Sequence, residues 1–379
     1  MDFSFSDEQN MLEDSVQRFI QNNYGFDARQ KIAEGDEGFS RGLWAQFADM
    51  GWLGLPFSEE DGGFGGTAVE TMILLEAFGK GLVVEPYISA VLQSGMIIAK
   101  GGTSEQKQAW LEPLIAGTSL PAVAYIEPQA RFNVNDVKTT ATAHADGYSI
   151  NGFKGVVLGG PFADLLIVPA RTSGSQTDAE GITLFMIDAK ADGVSRRDYP
   201  TIDGFRASEI TLTQVSVTKD AVLGSVDQGL ALLQYGLDQG MMGAAAEAVG
   251  AMEVLYKSTV EYCKTREQFG VAIGSYQALQ HRMVDTMMAY EQCKSLLFKA
   301  LCEYKQDPAM AAETIHALKV LIDRNAKHVF GEAIQIHGGM GMTDELDIGH
   351  YAKRLMMINT TFGDANFHRN RFVETAFAA

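Results

Sequence analysis

The chain has 379 residues, of which 46% are hydrophobic and 21% charged, and its formal net charge at pH 7 is -18. A chain of this length can bury a large core divided among two or three domains. The negative charge disfavours nucleic acids and anionic membrane surfaces as partners, because both attract basic patches. No apolar run is long enough to span a bilayer, and the acidic segment Met1 to Gly25 lacks the pattern of a secretory or mitochondrial leader.

The spacing of the cysteines and histidines excludes several kinds of functional site. Cys263, Cys293 and Cys302 form no CxxC pair, which predicts reduced thiols and a cytoplasmic location. The histidines lack the spacing of metal ligands, so no metal site is expected. The sequence also contains no GxSxG elbow and no P-loop.

Residues 1 to about 118 have the apolar periodicity of α-helices. Ser6 and the polar residues after it form a typical helix start. Further helices are predicted over Leu43–Met50, Thr67–Gly79, Ile88–Lys100 and Glu105–Ile115. A Gly-rich loop, LGLPFSEEDGGFGG, separates the helix that ends at Met50 from the next one.

From Leu120 to about Val222 the sequence has the character of short β-strands. The β-branched runs are PAVAYI, TTATAH, GYSING, DLLIVPA, ITLFMID and SEITLTQVSV. Asp146-Gly147 predicts a hairpin turn between two of them. Because helices do not alternate with these strands, a β-sandwich or barrel is expected rather than a parallel doubly wound sheet.

The helical pattern returns at Gly229 and continues to the end of the chain. One long helix is predicted over Gln228–Lys264, and others over Tyr276–Tyr304, Ala309–Ile336, Asp344–Met357 and Asn366–Ala376. Long helices with short links favour an antiparallel bundle. The predicted fold is α+β, with an N-terminal helical domain (1–118), a middle β-sandwich or barrel domain (119–225) and a C-terminal four-helix bundle (226–379).

Glu247 is the single charged residue between Met241 and Met252 on the long helix. A carboxylate in apolar surroundings is poorly hydrated and becomes a stronger base, which suits removal of a proton beside a carbonyl. Glycines recur every seven residues on this helix, at Gly236, Gly243 and Gly250, so another backbone or a flat ligand could approach closely. The alternative is a solvated glutamate on an Ala-rich helix, since structural carboxylates are commoner than catalytic ones.

Two further segments have the composition of a phosphate site. Arg266-Glu267-Gln268-Phe269-Gly270 offers a forked cation for a phosphate and a ring to pack on a flat ligand. The glycines of QIHGGMG (335–341) let a backbone approach phosphate closely. Tyr276-Gln277 could reach the same ligand. The alternatives are a cation at a helix C-terminus and a glycine helix cap.

Taken together, these segments and the order of elements resemble the acyl-CoA dehydrogenase family of flavoproteins over nearly the whole chain. Glu127-Pro128, Gly152-Phe153-Lys154 and Ala163-Asp164 match landmarks of that family's β domain. The resemblance implies FAD as cofactor. The implied contacts to its phosphates and adenine are Arg266, Gln268, Phe269, Tyr276, Gln277, Gln335, Ile336, His337, Gly338 and Gly339, and those nearer the flavin are Tyr125, Ile126, Val156, Val157, Gly363, Asp364 and Asn366.

The sequence departs from the family at several of its usual site positions. Ile126 replaces a Thr, Arg131-Phe132-Asn133 replaces Gly-Ser-Asp, and Val156-Val157-Leu158 replaces Trp-Ile-Thr. The two positions of the family's catalytic glutamate correspond here to Phe362 and Gly240. AEAVGAM, EPQxR and FGDA are similar to small subunits of two-component dehydrogenases of the pimeloyl-CoA and steroid side-chain types.

That similarity implies Glu247 as the base, because it shares the helix face of Gly240 two turns further on. Asp364 is the second candidate, and its alternative role is to bond the flavin or a turn. Asp238, Gly240 and Phe362 correspond to family positions near the bound acyl-CoA.

The activity implied by the resemblance is α,β-dehydrogenation of an acyl-CoA to the trans-2-enoyl-CoA, as in fatty acid metabolism. Electrons would pass to an electron-transfer flavoprotein, and the chain would form a homo- or hetero-oligomer, a tetramer built as a dimer of dimers. Three alternatives remain open. They are a non-catalytic partner subunit of a heterotetramer, a flavin oxidase or monooxygenase on the same fold, and a CoA-binding scaffold.

Overall fold

The structure, a computed structural model, describes residues 5–377, apart from the side chains of residues 308 and 309. The outer ends of the first and third predicted segments, residues 1–4 and 378–379, lie outside the described residues. Helices occupy the first and last parts of the chain and strands occupy the middle, which confirms the predicted α+β architecture.

The helices before the sheet begin at side chains that cap their first amides. Ser6 accepts from the Gln9 amide, and the Gln9 side chain accepts from the Ser6 amide. The same reciprocal box is formed at Thr67 and at Thr103. The helices are α1 (Asp7–Asn23), α2 (Phe26–Glu34), α3 (Arg41–Asp49), α4 (Ala68–Gly81), α5 (Met96–Gly101), α6 (Ser104–Gln106) and α7 (Glu112–Ile115).

Two details of this helical part differ from the prediction. The predicted helix over Ile88–Lys100 begins as a π-helical turn, Ile88–Gly95, which continues into α5, and a second π turn, Lys107–Leu111, precedes α7. α2 is not predicted from the sequence, because FDARQKIAE is largely polar and shows little apolar periodicity.

The middle strands form one eight-stranded sheet in the order β6-β7-β3-β2-β4-β5-β8, with β1 paired to β4. The predicted hairpin is present, but His144 pairs with Gly147, so the turn consists of Ala145 and Asp146. The strands are β1 (Pro121–Val123), β2 (Thr140–His144), β3 (Gly147–Leu158), β4 (Leu165–Arg171), β5 (Ile182–Asp188), β6 (Val194–Pro200), β7 (Arg206–Thr218) and β8 (Val222–Leu223).

β6 and the two-residue β8 are the strands of this sheet that the sequence does not predict. β6 forms the edge of the sheet beside β7, and most of its residues are exposed. Its charged sequence VSRRDYP therefore lacks the apolar alternation of a half-buried strand. Charge on an edge strand is a common protection against pairing with other chains.

A buried ion pair fastens the loop after β1 to the sheet. Glu127 accepts from Lys154 Nζ at 2.7 Å and from the hydroxyl and amide of Thr139, and Lys154 also donates to the Pro169 carbonyl at 2.8 Å. Both charged side chains are almost fully buried. Burial alone would raise the pKa of Glu127, but the Lys154 cation and these hydrogen bonds outweigh burial and lower it to about 2.

The C-terminal helices follow the prediction within two residues at each end, except that the helix predicted over Asp344–Met357 covers Ile348–Thr360. The long helix α8 covers Gly229–Thr265, within one residue of the predicted bounds. After a hairpin, β9 (Glu267–Gln268) and β10 (Val271–Ala272), come α9 (Gln277–Gln306), α10 (Pro308–His337), α11 (Ile348–Thr360) and α12 (Ala365–Ala376).

The chain divides into two compact units. The first comprises Met1–Lys31, Thr67–Val83 and Met241–Ala379, and the second comprises Ile32–Gly66 and Val84–Gly240. In the second unit, apolar side chains of the sheet form a core that includes Ile150, Phe185 and Ile210. The three-domain division drawn from the sequence stays a prediction.

Candidate functional site

Glu247 is buried on α8, with 3% of its surface exposed, among the buried Ala245, Ala246 and Ala248. The glycines of this region admit a neighbouring backbone. A Cβ at Gly250 would collide with the Glu76 carbonyl of α4, and one at Gly79 of α4 would collide with the Glu247 carbonyl. The close approach predicted for the α8 glycines is therefore used by α4 at Gly250.

Glu247 has no charged neighbour on its own stretch of α8, but it has a charged partner from another helix. Arg354 of α11 donates to it twice, from Nε to Oε1 at 2.6 Å and from Nη2 to Oε2 at 2.7 Å, and Arg354 is itself only 8% exposed. The two residues are 107 positions apart, so the local sequence around Glu247 gave no sign of the pair. A forked pair of this kind engages both oxygens of the carboxylate.

The turn between α11 and α12 holds the residues at the family's other base position. Phe362 has the left-handed φ of 65°, unusual for a bulky residue, and Gly363 has φ 120°. Asp364 caps α12, accepting from the Phe367 amide at 2.9 Å. The second candidate base therefore has the turn-bonding role considered as its alternative. Asn366 lies exposed in the first turn of α12.

Two buried side chains outside the predicted site residues donate to carbonyls of this turn and of the end of α11. Lys319 of α10 donates to the Ile358 carbonyl at 2.7 Å and to the Thr361 carbonyl at 2.9 Å. His368 of α12 places Nε2 3.0 Å from the Phe362 carbonyl. Burial lowers the pKa of Lys319 to about 7. The one sequence signal was a lysine within the apolar stretch ALKVLI.

The amide of Phe362 is left as a free donor. Over residues 5–377, no oxygen accepts a hydrogen bond from it, although the amides of Thr361 and Gly363 on either side bond to carbonyls of α11. A rigid turn thus presents one unpaired backbone N–H, which suits an oxygen atom of a ligand.

The predicted phosphate-binding segments lie beside each other in the first unit. His337, at the end of α10, stacks on Tyr262 near the end of α8 with ring centroids 4.3 Å apart. Ile336 packs with Cys263 and Ile273. Gln335 lies in the last turn of α10, and Gly338 begins the 3-10 turn Gly338–Met342.

The exposed groups of this surface fit a flat, phosphate-bearing cofactor. Arg266 is exposed and forms no ion pair among the described residues. A Cβ at Gly338 or Gly339 would meet no atom within 4 Å, so their backbone is open. Phe269 is 93% exposed at the tip of the β9–β10 hairpin, beside the exposed Gln268. Such a donor set suits a pyrophosphate, and the ring suits a base or flavin.

Tyr276 and Gln277 lie at the start of α9, where Tyr276 occupies the N-cap position and is 40% exposed. Phe269 and Gly270 form the turn of the β9–β10 hairpin, and both have positive φ. These two pairs of residues extend the same surface of the first unit.

Of the residues predicted near the flavin, Tyr125, Ile126, Val156 and Val157 lie in the second unit. Tyr125 and Ile126 follow β1, and the Ile126 carbonyl accepts from the Gly155 amide at 2.7 Å. Val156 is 40% exposed, whereas Val157 is fully buried in the sheet core. Apolar side chains and backbone groups therefore occupy the positions at which the family has threonine hydroxyls.

The predicted substrate residues Asp238 and Gly240 are on the first part of α8. Gln234 donates to Asp238 Oδ1 at 2.8 Å, and Gly240 is buried. The described residues contain no cluster of histidine, cysteine or carboxylate side chains that could hold a metal ion. In that same part of the chain, no helix has both the length and the apolar character needed to cross a membrane.

Comparison with known proteins gives matches along the whole chain. Family models of the acyl-CoA dehydrogenase N-terminal, middle and C-terminal domains match residues 6–118, 122–215 and 227–377. A short-chain specific acyl-CoA dehydrogenase of Clostridium acetobutylicum is 30% identical over 92% of this chain and 92% of its own.

Solved structures agree. The FAD complex of PigA superposes with a TM-score of 0.92 at 27% identity, covering 99% of both chains. A variant of the Tcur3481-Tcur3483 steroid ACAD superposes with a TM-score of 0.87 at 25% identity, covering 98% of both chains.

Proposed function

Since the chain belongs to the acyl-CoA dehydrogenase family of FAD-dependent oxidoreductases, we propose that it acts in the α,β-dehydrogenation of an acyl-CoA thioester to the trans-2-enoyl-CoA. The observation that carries this proposal is the unpaired amide of Phe362, in a turn whose carbonyl at Phe362 is held by His368. A thioester carbonyl that accepts a bond from this amide gains a partner for the negative charge developing on its oxygen, so the α proton becomes more acidic.

The other residues of the proposed site would bind FAD and the acyl-CoA and orient them. Arg266 and the open backbone of Gly338 and Gly339 would hold the pyrophosphate of FAD, and Phe269 would cover a flat part of it. Bound FAD supplies the acceptor for the β hydrogen, which leaves as a hydride. Tyr125, Ile126 and Val156 are assigned to the flavin ring, and Asp238 and Gly240 to the acyl-CoA.

Glu247 is the proposed base for the α proton. Its burial and its position on α8 support this role, whereas the fork from Arg354 weighs against it. The fork occupies one lone pair on each oxygen, so the α proton has to reach one of the remaining lone pairs or displace a bond to Arg354.

The same ion pair favours a second candidate function, a non-catalytic partner subunit that lends Arg266 and the 335–341 glycines to the flavin of a sister chain. Glu247 would then be structural, Asp364 a helix cap, and the family's two base positions, Gly240 and Phe362, would stay without a carboxylate. The similar steroid ACAD named for two proteins, Tcur3481 and Tcur3483, supports this candidate.

Purification of this chain alone tests the proposal. A yellow protein whose flavin is bleached on anaerobic mixing with an acyl-CoA, with enoyl-CoA found by mass spectrometry, supports dehydrogenation at the chain's own site. A colourless chain that gains activity only on mixing with a sister chain supports the partner subunit. A chain that binds neither FAD nor acyl-CoA in any combination contradicts both.

The base is tested with the double variant Glu247→Gln/Arg354→Gln, which replaces the pair with two amides and leaves no unpaired buried charge. If Glu247 is the base, turnover falls by roughly 10²- to 10⁴-fold while FAD stays bound. If Glu247 is structural, turnover of the assembled enzyme is retained.

Assembly and electron transfer complete the proposal. Large apolar side chains are exposed around the phosphate-binding surface, and burial against another subunit would remove them from water; they are Phe269, Val271, Tyr276, Met340 and Met342. We assign them to a dimer-of-dimers contact, tested by analytical ultracentrifugation. An electron-transfer flavoprotein is the proposed electron acceptor, and the cytoplasm is the proposed location, tested by cell fractionation.

A further inference from the structure

The Phe362 turn does not hold its shape by its own sequence. A left-handed φ is unfavourable for phenylalanine, and a Cβ at the following Gly363 would collide with Phe367 and His368. A conformation of this kind persists where neighbouring groups fix it. Here three carbonyls, at the end of α11 and in the turn, accept hydrogen bonds from side chains of α10 and α12. Lys319 donates to the carbonyls of Ile358 and Thr361, and His368 donates to that of Phe362.

A second histidine, His316, contacts the other ring nitrogen of His368. His316 of α10 places its Nδ1 3.0 Å from the Nδ1 of His368, and His368 is 1% exposed. Burial, together with the Arg371 cation, lowers the pKa of His316 to about 4, and burial with the Lys319 cation lowers that of His368 to about 3. Both rings are therefore neutral at pH 7, and each carries a single N–H.

The hydrogen bonds determine where those two protons are. The Phe362 carbonyl can only accept, so His368 carries its proton on Nε2. Its Nδ1 is then a bare acceptor, so His316 must donate from its own Nδ1. A single chain of donors thus runs from His316 through His368 to the Phe362 carbonyl, and the tautomer of each ring is assigned from its partner.

Lys319 acts from the other side of the turn. It is 1% exposed and donates to two carbonyls, which both the ammonium and the neutral amine can do. The Thr361 carbonyl, held by Lys319, shares a peptide plane with the Phe362 N–H, and the Phe362 carbonyl, held by His368, belongs to the following plane. Both planes have to stay fixed for that N–H to keep its direction.

We propose that His316 and His368 are positioning residues for the thioester carbonyl, acting through the Phe362 carbonyl to aim the Phe362 amide. This inference rests on the proposed function, in which that amide binds the thioester. Neither histidine touches the substrate. Their effect is expected on the binding of the carbonyl and not on the binding of the CoA portion.

The test compares two ligands on the FAD-loaded enzyme by isothermal titration calorimetry. One is an acyl-CoA thioester, and the other is the S-alkyl-CoA thioether of equal chain length, which lacks the carbonyl. The unmodified protein is expected to prefer the thioester roughly 3- to 10-fold, the value of one hydrogen bond. His368→Phe should abolish the preference and leave the thioether affinity unchanged. His368→Gln, which can still donate to the carbonyl, should keep most of it.

The matched control is His328→Phe, because His328 lies exposed on the same helix as His316. It should change neither affinity. A thioester preference that survives in a folded His368→Phe variant overturns the positioning role. No preference in the unmodified protein overturns the use of the Phe362 amide itself, and with it the proposed function and this inference.

A second measurement needs no variant and covers the case in which His368→Phe fails to fold. Nitrogen-15 NMR of histidine-labelled protein should show the Nε2–H tautomer for His368 and the Nδ1–H tautomer for His316. Any other tautomer at either ring contradicts the donor chain. His316→Leu should in addition weaken thioester binding more than thioether binding, and an equal loss for both ligands would contradict the inference.

Discussion

The carboxylate of Glu247 and the guanidinium of Arg354 are joined by two hydrogen bonds of 2.6 Å and 2.7 Å inside the first unit. The pair ties α11 to α8 at the level where α4 crosses α8. It therefore links two helices through charges that are buried, at 3% exposure for Glu247 and 8% for Arg354. Breaking such a pair leaves a buried charge without a partner, whereas removing both charges together leaves none.

We therefore expect Glu247→Ala to lower the free energy of unfolding by about 3–5 kcal/mol. The double variant Glu247→Leu/Arg354→Met should be more stable than either single variant, because no charge is left unpaired. Urea titration followed by circular dichroism measures both. Glu261→Ala is the matched control, since Glu261 is on the same helix and its pair with Lys264 is exposed; its change should stay within about 0.5 kcal/mol. Additive losses in the double variant would contradict the structural role.

The sequence predicts the elements better than it predicts their contacts. α8 is predicted within a residue at each end because its apolar pattern is local, and the cap at Ser6 is visible for the same reason. No local pattern shows a contact between distant segments. Two such contacts are the ion pair of Arg354 with Glu247 and the hydrogen bonds of Lys319 to the carbonyls before Phe362. β6 is missed because an exposed edge strand needs no apolar alternation.

The same distinction holds for the site. Arg266, Phe269 and the 335–341 glycines are identified by composition, and the structure brings them together through the stacking of Tyr262 on His337. His316 and His368 are not identified, because their proposed role depends on a hydrogen bond between two helices.

Arg266 should contribute to FAD affinity without contributing to the fold. Its guanidinium is exposed and has no ion-pair partner among the described residues, so removing it breaks no contact that the folded chain uses. Arg266→Gln is expected to weaken FAD binding roughly 10- to 100-fold through the loss of a charge-assisted hydrogen bond. Flavin fluorescence titration measures the affinity. Arg324→Gln, at an exposed arginine of α10, is the control and should leave it unchanged. Equal affinities for the two variants would exclude Arg266 from the site.

Glu127 should make the second unit sensitive to acid. The pKa of Glu127 is lowered to about 2 from an ordinary value of 4.5, so its contribution to stability is fully present above pH 4.5 and is lost as the pH falls towards 2. Glu127→Gln should be destabilised at pH 7 and should lose less stability than the unmodified protein between pH 5 and pH 3. Melting temperatures across this range, read from the near-ultraviolet signal, measure the difference. Parallel curves for the two proteins would disprove the assignment.

Glu85 should have the opposite pH dependence. It is 3% exposed, and its Oε1 accepts from the Ser40 amide at 3.1 Å, while its Oε2 has no hydrogen-bond partner. Burial raises the pKa of Glu85 to about 7 from 4.5. The folded chain therefore holds a proton that the unfolded chain has released, so this contribution is fully present below pH 4.5 and is lost as the pH rises through 7.

Glu85→Gln keeps the acceptor for Ser40 and cannot ionise. It should therefore be more stable than the unmodified protein at pH 8, on the order of 1–3 kcal/mol, with the advantage shrinking towards pH 5. Melting temperatures at pH 5 and pH 8 measure the change. The control is Glu60→Gln, an exposed glutamate of the same unit, which should shift neither value. An advantage of equal size at both pH values would mean that the gain comes from packing, because a buried carboxyl that titrates near pH 7 must lose its penalty when it is protonated.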